Sequence, residues 1–148
     1  MPRKSSAKES AAAAAWRHIF DYIVDTAPER VAVLDRLGLT PAESRSLTSL
    51  DPKAGRSMRS LADEWMCDPS NATWLVDRLE HQGLARRIAQ HGDRRVKAVV
   101  LTPKGKRIRA ELLESQYTPP PDLLALPQRD LEALSAAASK LPARGRRR

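Results

Sequence analysis

The chain has 148 residues and a formal net charge of +8, with 26 Lys and Arg against 18 Asp and Glu, 4% aromatic residues and a single cysteine, Cys67. Such a chain suits one compact, mainly helical domain or two small lobes, and its basic balance favours polyanionic partners. One cysteine excludes an intramolecular disulfide framework and fits a reducing compartment, and no stretch approaches the ~20 apolar residues of a membrane span. The alanine run 11–15 is followed too soon by Arg17 and His18 to act as a signal peptide.

Residues 1–8 read as a basic, disordered tail. From about Glu9 a helix is expected, with Trp16, Ile19, Phe20 and Ile23 along one apolar face. Thr26-Ala27-Pro28-Glu29 is a break and restart, because proline disfavours helix at the residue before it. Residues 9–38 are therefore a kinked helix or two consecutive ones, ending at Gly38. Thr40-Pro41-Ala42-Glu43 opens the next helix with a capping box and a proline at the first position, and Leu47 and Leu50 point inward. After a turn over Asp51–Gly55, Met58, Leu61, Ala62 and Trp65 fall at helical spacing. Asp68 then stands as cap and Pro69 as first residue of a helix whose inward face is Ala72, Leu75, Val76 and Leu79, stopped by Gly83. Two short helices around a tight turn form a helix-turn-helix candidate.

Leu84–Ala89 alternates in part, Gln90–Arg95 carries turn residues and charge, and Val96–Leu101 is rich in β-branched residues, which predicts a hairpin. Arg86, Arg87, Arg94, Arg95 and Lys97 face only one acid, Asp93, in that segment. A basic hairpin directly after a helix-turn-helix is a wing suited to a phosphate-lined groove. Thr102-Pro103 caps a helix to about Gln116, Pro119–Pro121 stops it, and Pro127 reopens a last helix with Leu131, Leu134, Ala138 and Leu141 on one face. Residues 142–148 are a basic tail.

Leu61-Ala62, Ser70-Asn71-Ala72-Thr73, Leu75-Val76-Asp77-Arg78-Leu79-Glu80, Gly83-Leu84, Asp93-Arg94-Arg95 and Leu101-Thr102-Pro103-Lys104-Gly105 together resemble the MarR family of bacterial transcription regulators. The resemblance implies a mainly α fold with a small β-hairpin wing: a winged helix-turn-helix DNA-binding domain at 39–101, and dimerisation helices at 9–38 and 102–141. It also implies a homodimer on a pseudo-palindromic operator in double-stranded DNA, repression as the commoner mode, and a small, often anionic aromatic effector in the crevice between the two parts. In the family's pattern the wing-tip arginine enters the minor groove while the aspartate anchors the loop, roles that fall here to Arg94, Arg95 and Asp93.

From the residues themselves, Ser70, Asn71, Thr73, Trp74 and Arg78 lie off the buried stripe of the second helix and can meet base edges or phosphates, unless they form only a solvated face. Ser57 and Arg59, at the start of the first helix, suit the phosphate backbone. Trp74 departs from the family, where a small or basic residue is usual, and can pack on a thymine methyl or on a neighbour. Met66 replaces the family's turn glycine. Cys67 reads as a packing residue, with a thiol switch as the alternative. Trp16, with Trp65 from a facing helix, is the candidate effector contact; Lys104 and Lys106 read as solvated.

His18, His81 and His91 have no partners at metal-ligand spacing, and no nucleophile–base pair or Gly-rich phosphate loop is present, so neither a metal, a cofactor nor enzymatic activity is expected. The expected setting is cytoplasmic and nucleoid-associated, without membrane contact. The rival reading is a winged-helix architectural or protein-interaction module with non-specific DNA affinity, which the basic tails favour.

Overall fold

The computed structural model describes residues 6–90 and 93–142, with side chains at 6–89 and 97–142. Helix α1 (Ala7–Asp25) starts behind Ser6, whose hydroxyl accepts the Glu9 amide at 3.2 Å while the Glu9 carboxylate accepts the Ser6 amide at 2.8 Å. That capping box draws Ala7 and Lys8 into the helix, which therefore begins two residues before the expected Glu9. Thr26 then ends α1, its amide and hydroxyl both returning to the Tyr22 carbonyl, and α2 (Ala27–Leu37) restarts immediately. Of the two expectations for this segment, the pair of helices is the one observed.

Gly38 closes α2 at φ 66°, and α3 (Pro41–Ser49) opens on the expected Thr40–Glu43 capping box. Glu43 does more than cap. It is completely buried, with one carboxylate oxygen 2.9 Å from the Thr40 amide and the other 2.8 Å from Nε of Arg78. Burial pushes its carboxyl up, but the Thr40 amide, the Arg78 guanidinium and the Thr40 hydroxyl together hold it below its ordinary value.

The winged unit follows: strand β1 (Arg56–Ser57), helices α4 (Met58–Trp65) and α5 (Pro69–His81), and strands β2 (Ala85–Gln90) and β3 (Asp93–Leu101). The sheet is antiparallel with β3 in the centre, pairing Arg56 with Val99 on one side and Arg87 with Val99 on the other. Beyond Ala89, paired with Lys97, the register shifts so that Gln90 meets Asp93. Strand pairing thus reaches into the segment expected as turn. Arg56 and Ser57 were expected within the first helix but pair with β3 at the sheet edge, and a helical turn closed by its own backbone bonds, α7 (Pro121–Leu124), lies between α6 (Pro103–Tyr117) and α8 (Gln128–Ala138).

The core is a leucine cluster shared by the winged unit and its neighbours: Leu39, Leu47, Leu50, Leu61, Leu79 and Leu84, with Val76, Val99, Leu101 and Leu112. Each such side chain contributes roughly 1.5–3 kcal/mol by leaving water. In contrast, α1, α2, α7 and α8 have no buried residue, and Trp16, Phe20, Ile23, Val24, Leu134 and Leu141 are exposed.

The segment Leu101-Thr102-Pro103-Lys104-Gly105 joins α6 to the end of α5. Leu101 is in the core, and the Thr102 hydroxyl accepts the Gly105 amide at 3.0 Å while donating to the Gly83 carbonyl at 2.6 Å. Lys104, expected as solvated, donates its ammonium to the Gln82 carbonyl at 2.9 Å. A Cβ on Gly105 would stand 1.8 Å from the Leu84 carbonyl oxygen, so backbone packs on backbone here. Gly105→Ala should therefore destabilise the fold by about 3 kcal/mol, the upper end of overpacking costs, measured by urea unfolding.

A second prediction concerns Glu43. Its folded-state pKa is depressed, so its contribution is complete above the ordinary 4.5 and is lost as pH falls through the lower folded value. Glu43→Gln should cost about 2 kcal/mol at neutral pH, as expected for a lost charge-assisted hydrogen bond. The gap in melting temperature between wild type and variant should narrow as pH falls from about 5 to about 3. A constant gap would show that the Glu43 charge contributes nothing to the fold.

Candidate nucleic-acid interface

Helix α4 begins at Ser57, whose hydroxyl accepts the Ser60 amide at 3.2 Å, and Arg59 is exposed on its first turn. The turn between α4 and α5 passes through Met66 at φ 49°, the one non-glycine with positive φ among the described residues. A left-handed backbone costs a side-chain-bearing residue about 1–2 kcal/mol, which explains why glycine suits this position. The Met66 side chain is 91% exposed, and Cys67 beside it is half-buried rather than fully packed. Asp68 occupies the N-cap position of α5, but its carboxylate makes no cap bond, contrary to expectation. The first turn starts on Pro69, with the Ala72 amide donating to the Asp68 carbonyl at 3.0 Å.

The inward stripe of α5 is as expected: Ala72, Leu75, Val76 and Leu79 are buried. Ser70, Asn71, Thr73, Trp74, Asp77 and Arg78 are all exposed, with Trp74 at 53%. The helix thus presents an outward row of hydroxyl, amide and indole groups. Such groups can bond base edges or contact a thymine methyl. The Thr73 hydroxyl also donates back to the Pro69 carbonyl at 2.8 Å.

Ion pairs grip both flanks of α5. On one side Arg78 donates to Glu43 of α3. On the other, Arg87 of β2 pairs with Asp77 at 2.7 Å and with Glu80, while its own amide donates to Glu80 at 2.7 Å. Its guanidinium also reaches the Thr73 carbonyl at 3.4 Å. Arg87, counted from sequence among the groove-facing bases, is therefore a strut between wing and helix. Only the acids Asp77 and Glu80 upstream hinted at this. Arg86 and Lys97 remain exposed on the hairpin. The backbone of Asp93, Arg94 and Arg95 belongs to β3, and the expected roles of their side chains lie outside the described residues.

Trp16 and Trp65 each have their own partners. Trp65 packs against the core with its indole N–H donating to Ser49 at 2.8 Å, and Trp16 tilts on Phe20 with ring centroids 6.1 Å apart. Neither lines the groove of about 600 Å³ between α2, α3 and α6, whose walls include Arg30, Val31, Leu34, Arg45, Leu112 and Gln116. Sequence reading missed Arg30 and Arg45 because they lie on separate helices that only the fold brings together. Among the described residues no helix is long and apolar enough to cross a membrane.

Comparison with known proteins agrees with this architecture. A sequence model of the MarR family matches residues 39–97. The HTH-type transcriptional repressor MdtR of Bacillus subtilis (strain 168) is 33% identical over 78 residues, 53% of this chain and 50% of that protein. The chain thus matches about half the length of that curated relative. The crystal structure of the YusO protein from Bacillus subtilis superposes with a TM-score of 0.70 at 25% identity, over 92% of this chain and 96% of that one. MepR of S. aureus, in a crystal structure of its DNA complex, shares the fold at a TM-score of 0.63 and 18% identity, over 84% of this chain and 99% of that one. With the winged unit, its helix-turn-helix and the flanking helices all in place, residues 39–97 match the MarR family and the chain as a whole is similar in fold to the structures above.

Proposed function

We propose that this protein is a sequence-specific, double-stranded-DNA-binding transcription regulator that represses as a homodimer on a pseudo-palindromic operator. The observation that carries this reading is the outward row of α5, polar and bare, on a helix whose opposite face is fully buried. In it Ser70, Asn71, Thr73 and Trp74 enter the major groove, Ser57 and Arg59 hold the phosphate backbone, and Arg94 and Arg95 follow the adjacent minor groove with Asp93 as their anchor. The repressor relative and the DNA-bound neighbour support this assignment.

The homodimer reading rests on the unburied terminal helices. Trp16, Phe20 and Ile23 of α1 and Leu134 of α8 expose more apolar surface than a monomeric helix pair leaves bare without reason. Two-fold symmetry then places the reading helices about one DNA turn apart, ~34 Å. A small aromatic anion is the effector class, and its seat is the groove walled by Arg30 and Arg45 rather than the two tryptophans. Two cations over an apolar floor suit a carboxylate on a ring.

The protein should prefer the promoter DNA flanking its own gene over random DNA of equal length by ~10³-fold, measured by fluorescence anisotropy at two salt concentrations. Arg94→Ala/Arg95→Ala should abolish most of that preference. Equal affinity for both DNAs, falling together as salt rises, would instead identify a non-specific architectural module. In sedimentation, the wild type should run as a dimer and Phe20→Glu/Ile23→Glu as a monomer. A wild-type monomer at micromolar concentration would overturn the dimer.

A further inference from the structure

Arg78 has the position of a DNA contact and the bonding of a structural strut. It is exposed at 44% of its side chain, while its partner Glu43 is exposed at only 1%. An arginine next to a fully buried carboxylate, with Nε 2.8 Å from its oxygen, has its charge neutralised before any phosphate approaches. The second oxygen of Glu43 accepts the Thr40 amide, so both oxygens are engaged, and among the described residues Arg78 is the cation within ion-pair distance. Removing either partner leaves the other without the match it was buried to make.

The pair sits where it controls the roll of α5. Asn71 and Arg78 are seven residues apart, two helical turns, and so share one flank. Thr73 and Glu80 share the other flank by the same spacing, and Arg87 reaches both. Between these flanks lie Ser70, Trp74 and Asp77, opposite the buried stripe. A helix held on one flank by α3 and on the other by the wing cannot rotate about its axis without stretching a charge-assisted bond. Rotation by a fraction of a turn would move Asn71 away from a base edge, whose hydrogen bonds tolerate only a few tenths of an ångström.

We propose that Arg78 and the buried Glu43 are positioning residues that set the roll of the recognition helix, and that Arg78 is not a phosphate or base contact. This rests on the DNA-binding reading above. Loss of the pair then lowers specific affinity and spares non-specific affinity, because the phosphate-binding cations are elsewhere. A phosphate contact behaves in the opposite way: it weakens binding to all sequences alike and reduces the slope of log K against log[salt] by about 0.9.

The test compares Arg78→Gln, Glu43→Gln, the double variant Glu43→Gln/Arg78→Gln, and Arg59→Ala as the benchmark phosphate contact. Each full-length variant is titrated with promoter and random DNA across a salt series. Arg78→Gln should lose about tenfold or more in the specific-to-non-specific ratio with an unchanged salt slope, whereas Arg59→Ala should lower the slope by about 0.9. The double variant, which buries no unpaired charge and can still bridge amide to amide, should recover part of the ratio lost in Arg78→Gln. A salt slope reduced by about 0.9 in both Arg78→Gln and the double variant, without recovery, would make Arg78 a direct contact and overturn the proposal.

Hydrogen exchange of the α5 amides in the free protein keeps the two readings separable. Protection should fall in each single variant and return in the double. If the wild type shows no preference for its promoter, the regulator reading fails, and exchange still decides whether the pair holds the helix. Unchanged protection in all three variants would overturn the positioning role irrespective of DNA. Should Arg78→Gln fail to fold alone, the double variant, which loses the same charge without burying an unpaired carboxylate, supplies the salt slope: an unchanged slope is expected, and one lowered by about 0.9 would overturn the proposal.

Discussion

Helix α5 must be buried completely on one face and bare on the other, and most of the winged unit can be understood as the means of keeping it so. Its stripe of Ala72, Leu75, Val76 and Leu79 is buried, and Val76 and Leu79 share one cluster with leucines from α3, α4 and α6 and with Val99 of the sheet. Hydrophobic burial has no preferred direction, however, and a stripe alone leaves a helix free to roll or slide by a fraction of a turn. Directional bonds supply what burial cannot. Arg78 and Arg87 restrain the flanks, and Lys104 meets the Gln82 carbonyl at the C-terminal end.

The same bonds redistribute the charge that composition displays. The chain carries +8, but a guanidinium paired with a carboxylate adds little to the field felt by a polyanion. Arg36 is paired with Glu111, Arg56 with Glu64, Arg78 with Glu43, and Arg87 with Asp77 and Glu80. Exposed Arg59 of α4 and Arg86 and Lys97 of the hairpin are outside these pairs and border the reading helix in sequence. Counting basic residues in a segment therefore overstates its electrostatic reach. The relevant quantity is the number of cations without an internal acid.

How far the fold was legible in the sequence depended on the range of each interaction. Ser6–Glu9 aside, the caps at Thr40–Glu43 and Thr102 and the left-handed glycines Gly38 and Gly83 were all readable, because each is decided within a few residues. Strand β1 was not readable, since two residues have no periodicity and only the partner strand β3 makes them a strand. The Arg78–Glu43 pair spans 35 residues and Trp65–Ser49 spans 16, so a sequence scan sees an outward arginine where the fold has a strut, and places Trp65 on an apolar face without its partner Ser49. Met66 shows the reverse case. Local preference argues against its left-handed backbone, and the packing of α4 and α5 imposes it.

The junction at Gly105 links the parts of the chain that differ most in burial. Helix α6 begins against the Leu84 backbone, just beyond the end of α5, and two to three turns on contributes Leu112 and Gln116 to the groove that Arg30 and Arg45 flank. At its start there is no side chain to act as a cushion, because a single added methyl would collide with a carbonyl. The Thr102 hydroxyl bridges the Gly83 carbonyl to the Gly105 amide, so the two helix ends share one hydrogen-bonded atom. Packed interiors yield by discrete repacking rather than by smooth deformation. A shift of α6 in the groove must therefore either carry Gly83 and Leu84 with it or break these bonds together.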